Sequence, residues 1–254
     1  MTTRTDRNQR FMLRRIKAVP ADAMHMRLML MLTFTTGIND AVGYLGLDRV
    51  FTGNMTGNVV VLGMALVGNT GLPVLGPGLA LVGFIVGAAL GGRVLRSDVA
   101  GWSRRTTMLF GLVAVLQTAL YLLLLAAGGR PVHGVIVMTT TAAACGMGIQ
   151  AATARKLAVK DISTVVVTST LTSLAADGVF GSNTASWRGG GTLRRLAAIV
   201  VISLGAFAGA LLLQVQLGVG LLLAGVLNGG VAFFGSVHAR LVRRSARAQF
   251  VTHT

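Results

Sequence analysis

Acidic side chains are scarce in this 254-residue chain, and all seven are aspartate: Asp6, Asp22, Asp40, Asp48, Asp98, Asp161 and Asp177. The absence of glutamate removes the general base of an HExxH metalloprotease and the bidentate twelfth ligand of an ordinary EF-hand. Cys145 is the single cysteine, so neither an intrachain disulfide nor a thiolate zinc site can form. The histidines His25, His133, His238 and His253 are scattered and read as interfacial or tail residues, not as a ligand set. No GxGxxG, Walker A or GxSxG sequence occurs, and no nucleophile with a base or pair of carboxylates is visible. An enzyme is therefore not expected, nor a metal or other cofactor.

What the chain has in quantity is apolar surface. Hydrophobic residues make up 53% and charged residues 12%, with a mean hydropathy of +0.72, which leaves a soluble domain of this length too little polar surface. Residues 196–237 contain no Asp, Glu, Lys or Arg, a run that holds two bilayer-crossing helices of about 20 residues each. Residues 50–92 form a second uncharged run. The net charge of +16 would suggest nucleic acid in a soluble protein. Here Lys and Arg gather at the ends of apolar segments, as orientation signals do, and no aromatic-interleaved basic face accompanies them. A polytopic membrane protein with no nucleic-acid partner is expected.

The first 27 residues are polar and basic, carrying Arg4, Arg7, Arg10, Arg14, Arg15, Lys17 and Arg27. This is too long for the n-region of a cleaved signal peptide and reads as a retained cytoplasmic tail. Within it Phe11, Met12, Leu13 and Ile16 alternate with basic residues, so a short helix could lie on anionic lipid headgroups, a disordered basic tail being the alternative. A second basic tail covers 238–254. Spanning candidates are 28–47, 72–92, 106–127, 132–153, 196–214 and 219–237, while 51–68 and 163–178 are shorter or more polar. If neither ambiguous segment crosses, 21 of the 23 Lys and Arg residues fall on one side and only Arg49 and Arg130 on the other. The positive-inside bias then places both termini in the cytoplasm. Six spans plus two partial, re-entrant or broken helices is the expected all-α fold. Of 28–47 and 51–68, the second is the better partial segment, because Thr52, Asn54, Thr56 and Asn58 are costly against lipid.

The two ambiguous segments resemble one another: residues 52–57 (Thr-Gly-Asn-Met-Thr-Gly) align without gaps on 168–173 (Thr-Ser-Thr-Leu-Thr-Ser). Upstream, Gly37-Ile38-Asn39 corresponds to Gly148-Ile149-Gln150; downstream, Gly83 and Gly87 correspond to Gly205 and Gly209. Two halves, about 28–127 and 132–237, would each contain three spans and one partial segment. An odd number of crossings makes the second half enter from the opposite face. That is an inverted repeat, with binding expected near the midplane where broken helices meet. Low complexity in apolar segments is the competing explanation.

At these residues the chain resembles the YoaK-like family of bacterial membrane proteins, a domain of unknown function. One signature is residues 37–45, Gly-Ile-Asn-Asp-Ala-Val-Gly-Tyr-Leu, followed by residues 51–58, Phe-Thr-Gly-Asn-Met-Thr-Gly-Asn. The other is Met147-Gly148-Ile149-Gln150-Ala151 followed by Arg155, Asp161 and residues 168–172. Ala151 and Ser169 depart from the family pattern. The resemblance covers about residues 28–237 and implies an integral protein of the bacterial inner membrane; it implies no substrate.

Asp40 is the first candidate site residue, because an ionisable group inside an apolar span is by default a proton, ion or substrate site. The alternative is that Asp40, beside Asn39 and between Gly37 and Gly43, holds the freed backbone of a broken helix. Asp177, near the end of the second partial segment, is a lesser candidate. On a helix Thr52 would lie over Thr56, Gly53 over Gly57 and Asn54 over Asn58, a polar face able to offer carbonyl and amide groups to a solute. Thr168 and Thr172 would line the matching segment, and Gln150 matches Asn39. Helix packing is the rival use of the same residues. The glycine stripes Gly83, Gly87, Gly91 and Gly205, Gly209 read as packing surfaces that permit a homodimer without demanding one. Met24, Met26, Met29 and Met31 read as apolar filling over copper(I) ligands. A secondary transporter or exporter of a small neutral or cationic molecule is the expected function; a scaffold or sensor whose polar segments only pack helices is the alternative.

Overall fold

The computed structural model describes residues 20–99, 101–128, 131–157, 171–172, 175–176 and 191–251. Among the described residues there are seven α-helices, one π-helical turn and no strand. They are α1 (Ala21–Ala41) running into the π turn (Val42–Gly46), α2 (Met55–Ala65), α3 (Leu75–Val94), α4 (Arg104–Ala126), α5 (His133–Leu157), α6 (Gly191–Val215) and α7 (Val219–Val251). Five helices are long and apolar enough to cross a membrane: α3, α4, α5, and the stretches Leu193–Val215 of α6 and Val219–Arg243 of α7. The protein is a multi-pass membrane protein, and lipid is its environment. Leu193, Leu196, Val200, Leu204, Phe207, Leu211 and Val215 are exposed at helical spacing on α6, forming an apolar stripe for the acyl chains.

Two expected boundaries move. The helix at the first expected span begins at Ala21, after Pro20, with Asp22 in its first turn, where a carboxylate favours the positive end of the helix dipole. The end of the supposed N-terminal tail is therefore helical, and Met24 packs with Leu28, Met29, Trp102, Phe110 and Val231. At the other end α7 continues through the basic tail to Val251, because nothing between Val237 and Val251 breaks a helix. The proposed headgroup helix at 11–16 lies outside the described residues.

Helix α1, expected to span, is not among these five; it is polar, yet much of it is enclosed. Thr33, Thr35 and Thr36 are buried, and each hydroxyl bonds back to a main-chain carbonyl of Met29 or Leu32, which satisfies them within the helix. Helix α2 has 11 residues, a rise of about 16 Å, roughly half the hydrocarbon thickness of a bilayer.

Glycines fix the close helix contacts. Helices α3 and α5 run parallel: Gly83 lies against Thr141, Gly87 against Cys145 and Gly91 against Ile149, while Gly148 faces Phe84 and Ala88. Helices α1 and α6 also run parallel, with Gly205 against Phe34, Gly209 against Ile38, and Gly37 facing Ile202 and Ala206. Helix α7 is antiparallel to α4, where Gly218 meets Leu124, Gly225 meets Thr118 and Gly235 meets Trp102. It is antiparallel to α1 as well, where Gly220 meets Val42 and Gly230 meets Met31. Helix α4 packs on α5 through Leu109, Val113 and Ile149. Without a hydrophobic drive between helices in lipid, this close backbone approach supplies the packing energy.

Candidate functional site

The site grows from the end of α1. The π turn Val42–Gly46 ends the helix, and Gly43 is needed there because a Cβ would strike the Val50 carbonyl and lie 3.2 Å from Thr52 Cγ2. The chain then folds back beneath α1, with Tyr44 stacked on Phe51 at a centroid distance of 4.7 Å. Asp40 Oδ1 accepts from the main-chain N–H groups of Gly53 at 2.7 Å and Asn54 at 3.3 Å. The carboxylate thus holds the link between the broken helix and α2, the role set against a binding role for this residue.

Asn58 is fully buried. Its Oδ1 accepts from Phe51 N at 2.8 Å and its Nδ2 donates to Phe51 O at 2.6 Å. The side-chain amide stands in for a peptide partner, so both of its polar ends are engaged by one residue. Asn54 caps α2, accepting from Gly57 N at 3.2 Å. Because α2 begins at Met55, Thr52 and Gly53 lie outside the helix, and the expected single polar face over 52–58 does not form. The reason is local: the Asn54 cap and the Asn58–Phe51 pair stabilise a turn at the place where the four-residue repeat would continue a helix. Thr56 is exposed and Thr52 buried.

The turn at Gly53 sits on the crossing of α1 and α5. A Cβ at Gly53 would lie 3.0 Å from Thr36 Cγ2, 3.2 Å from Met147 Cε and 3.4 Å from Asp40 Oδ1. At that crossing Asn39 Nδ2 donates to Thr35 O at 2.9 Å and to Met147 Sδ at 3.4 Å. Gln150 Nε2 donates to Leu32 O and to Thr36 Oγ1, each at 3.4 Å. As α1 is followed from Leu32 and Thr36 to Asn39, its partner moves back from Gln150 to Met147, so α1 and α5 cross antiparallel. Asn39 Oδ1 and Gln150 Oε1 are buried with no hydrogen-bond partner.

Of the expected site residues, the structure brings Asn39, Asp40, Thr52 and Gln150 into one region with Thr36, Met147 and Gly53. Asn54 and Thr56 are at its exposed edge, and Asn58 is turned to Phe51. Thr172 is exposed, while Thr168 and Asp177 lie outside the described residues. Sequence reasoning missed Gln117 and Asn228, both buried, whose side chains join α4 to α7 with Asn228 Nδ2 donating to Gln117 Oε1 at 3.0 Å. Their separation of 111 positions is the offset of Gly148 from Gly37, although the segments between align at larger offsets.

The family model described as "Protein of unknown function (DUF1275)" matches residues 28–234. The chain is 35% identical over 158 residues to the UPF0700 transmembrane protein YoaK of Bacillus subtilis (strain 168), covering 62% of this chain and 68% of that protein. No solved structure matches.

Proposed function

The chain belongs to the DUF1275 family of proteins of unknown function, and on that premise we propose that its membrane domain is an inverted repeat of six spans and two partial helices acting as a secondary transporter of a small molecule. The observation that carries this reading is that contacts recur between the halves residue by residue. Gln117 and Asn228 are separated by 111 positions, and the same displacement relates Thr36, Gly37 and Asn39 to Met147, Gly148 and Gln150. The bond from Asn39 to Met147 therefore maps onto the bond from Gln150 to Thr36. Gly37 faces Ile202 and Ala206 as Gly148 faces Phe84 and Ala88; Gly205 meets Phe34 as Gly87 meets Cys145; Gly209 meets Ile38 and Ala41 as Gly91 meets Ile149 and Ala152. These contacts support pairing Gly87 and Gly91 with Gly205 and Gly209, one turn beyond the sequence alignment of Gly83 and Gly87.

Helix directions support the inversion. Helices α1 and α5 run oppositely, as they do when α1, α3 and α4 cross and α2 turns back; a crossing α2 would make them parallel. Helix α6 runs with α1 and against α5, which supports no net crossing between α5 and α6, where 163–178 lies. Both termini then share one side, the cytoplasm by the positive-inside bias, in a bacterial inner membrane. A polar midplane region at the crossing of two central helices is where inverted-repeat transporters bind their solutes, and no chemical step belongs to this reading.

The competing reading, a scaffold whose polar segments only hold helices together, draws on Asp40 and Asn58, whose side-chain bonds close the turn. Proteoliposome flux separates the two. Protein reconstituted in potassium-loaded vesicles, assayed for accumulation of radiolabelled small cations and neutral solutes, is expected to move at least one class, and Asp40→Asn to lower that flux with normal yield. Absence of flux across the panel, with Asp40→Asn lowering only folded yield, would favour the scaffold.

A further inference from the structure

We infer that Asn39, Asp40 and Gln150, at the crossing of α1 and α5, form a site for a compact monovalent cation, either a metal ion or a primary ammonium group; this rests on the repeat reading above. Each amide has one end fixed. Asn39 gives its Nδ2 to the Thr35 carbonyl and Gln150 its Nε2 to the Leu32 carbonyl. A main-chain carbonyl accepts only from the amide nitrogen, which orients Asn39 through its 2.9 Å bond and Gln150 through two longer contacts of 3.4 Å, and it is the oxygen of each that is left over. Both oxygens are buried and without a donor. The two residues are repeat-equivalent, so the same uncompensated acceptor has been kept twice, from opposite directions, at one crossing.

The chemistry left open is mostly that of acceptors. Among the described residues every buried side-chain polar atom lacking a partner is an oxygen, on Asn39, Asp48, Thr52, Asp98, Gln150 or Asn228. Of these only the Thr52 hydroxyl can also donate, and no nitrogen is left over. A ligand at this crossing has to bring donors or positive charge, since carbonyl oxygens unpaired in a low-dielectric interior are destabilising. Asp40 adds a carboxylate next to Asn39, and its Oδ1 lies within reach of the same turn at Gly53 that touches Thr36 and Met147. One carboxylate with neutral oxygens balances a single charge, whereas divalent sites gather more carboxylates. The equivalent of Asp40 in the second half is Ala151, so the site carries one acidic group and not two. Glycine at position 53 keeps the turn against the crossing; a side chain there would push it away.

Equilibrium binding of radiolabelled sodium, rubidium and methylammonium to the purified full-length protein in detergent, against an N-methyl-glucamine background, tests this without requiring flux. Saturable binding of at least one of the three is expected, near one per chain, with sodium or rubidium marking a metal site and methylammonium an ammonium site. Gln150→Met, which keeps the volume and removes the oxygen, is expected to weaken binding at least tenfold, and Gln150→Glu to strengthen it. No saturable binding of any of the three to folded wild-type protein overturns the inference, whatever the variants do. Equal affinity in wild type, Gln150→Met and Gln150→Glu overturns it as well. Binding without flux would leave this site standing while removing the transporter reading, and flux of another solute without cation binding would do the reverse.

Discussion

Gln117 on α4 and Asn228 on α7 hydrogen-bond to each other at 3.0 Å across 111 residues of chain. That separation equals the offset from Asn39 to Gln150, so under the proposed repeat the pair would map onto itself when the halves are exchanged. Gly225 against Ala114 is a second such pair at the same helix contact. In the proposed inverted repeat, self-paired contacts and the α1–α5 crossing would share one twofold relation.

If this polar pair holds α4 to α7, its two residues are coupled. Gln117→Leu and Asn228→Leu are each expected to lower the unfolding temperature, and the double variant by less than the sum. The coupling energy is expected at about 0.6–2 kcal/mol, the range for side-chain hydrogen bonds between membrane helices. Thermal or chemical unfolding in detergent measures it; strict additivity would remove the pair from the account of packing.

The glycines divide into two groups with opposite expected behaviour. At Gly37 a Cβ would meet the Ile202 carbonyl and lie 2.7 Å from Ala206 N, and at Gly148 it would meet the Phe84 carbonyl and lie 2.8 Å from Ala88 N. Alanine at either position is expected to part the helices and destabilise by about 1–3 kcal/mol or more. At Gly63, Gly92 and Gly111 nothing lies within 4 Å, and alanine is expected to be neutral or to stabilise by up to about 1 kcal/mol through helix propensity. Unfolding midpoints of the five single variants check the division.

Asn58→Leu removes both bonds to Phe51 and leaves its partly buried main-chain donor and acceptor without these partners. A loss of about 1–3 kcal/mol per group is expected, read as a lowered unfolding midpoint. Asn54→Ala, which deletes only an exposed cap, is expected to cost about 1 kcal/mol.

Asp40 is separable by the choice of replacement. Asp40→Ala removes the acceptor for Gly53 N–H and Asn54 N–H and is expected to lower folded yield. Asp40→Asn keeps an oxygen in that place, so the turn is expected to survive while monovalent-cation binding falls at least tenfold. Size-exclusion profiles and the radiolabel isotherm read the two outcomes side by side. Loss of folding in both variants would assign Asp40 to the turn alone.

Much of the helical layout was legible in the chain because apolar runs and their basic flanks mark helix positions directly. The short α2 was visible as a weak segment, but its polar face was misread: a four-residue period in Thr-Gly-Asn-x-Thr-Gly-Asn suits a helix, and the Asn54 cap with the local pairing of Asn58 and Phe51 turns it into a cap and a loop. The correspondence of Asn39 with Gln150 was suggested by the sequence, since each follows Gly-Ile. Gln117 and Asn228 were not, because isolated amides in apolar runs carry no motif and gain meaning only when the displacement between halves is known. In the proposed repeat the glycine pairing moves by one turn for the same physical reason: GxxxG stripes repeat every four residues, so sequence alone fits neighbouring registers equally well.

The orientation of α2 tests the inverted arrangement most directly. Single cysteines at Arg49, Asn69 and Ser236, in a chain with Cys145 replaced, can be labelled in intact cells and in inverted vesicles with a membrane-impermeant maleimide. Labelling of Arg49→Cys and Asn69→Cys from the outer face, with Ser236→Cys reached from the inner face, is expected. Labelling of Arg49→Cys and Asn69→Cys from opposite faces would mean that α2 crosses, and would contradict the inversion.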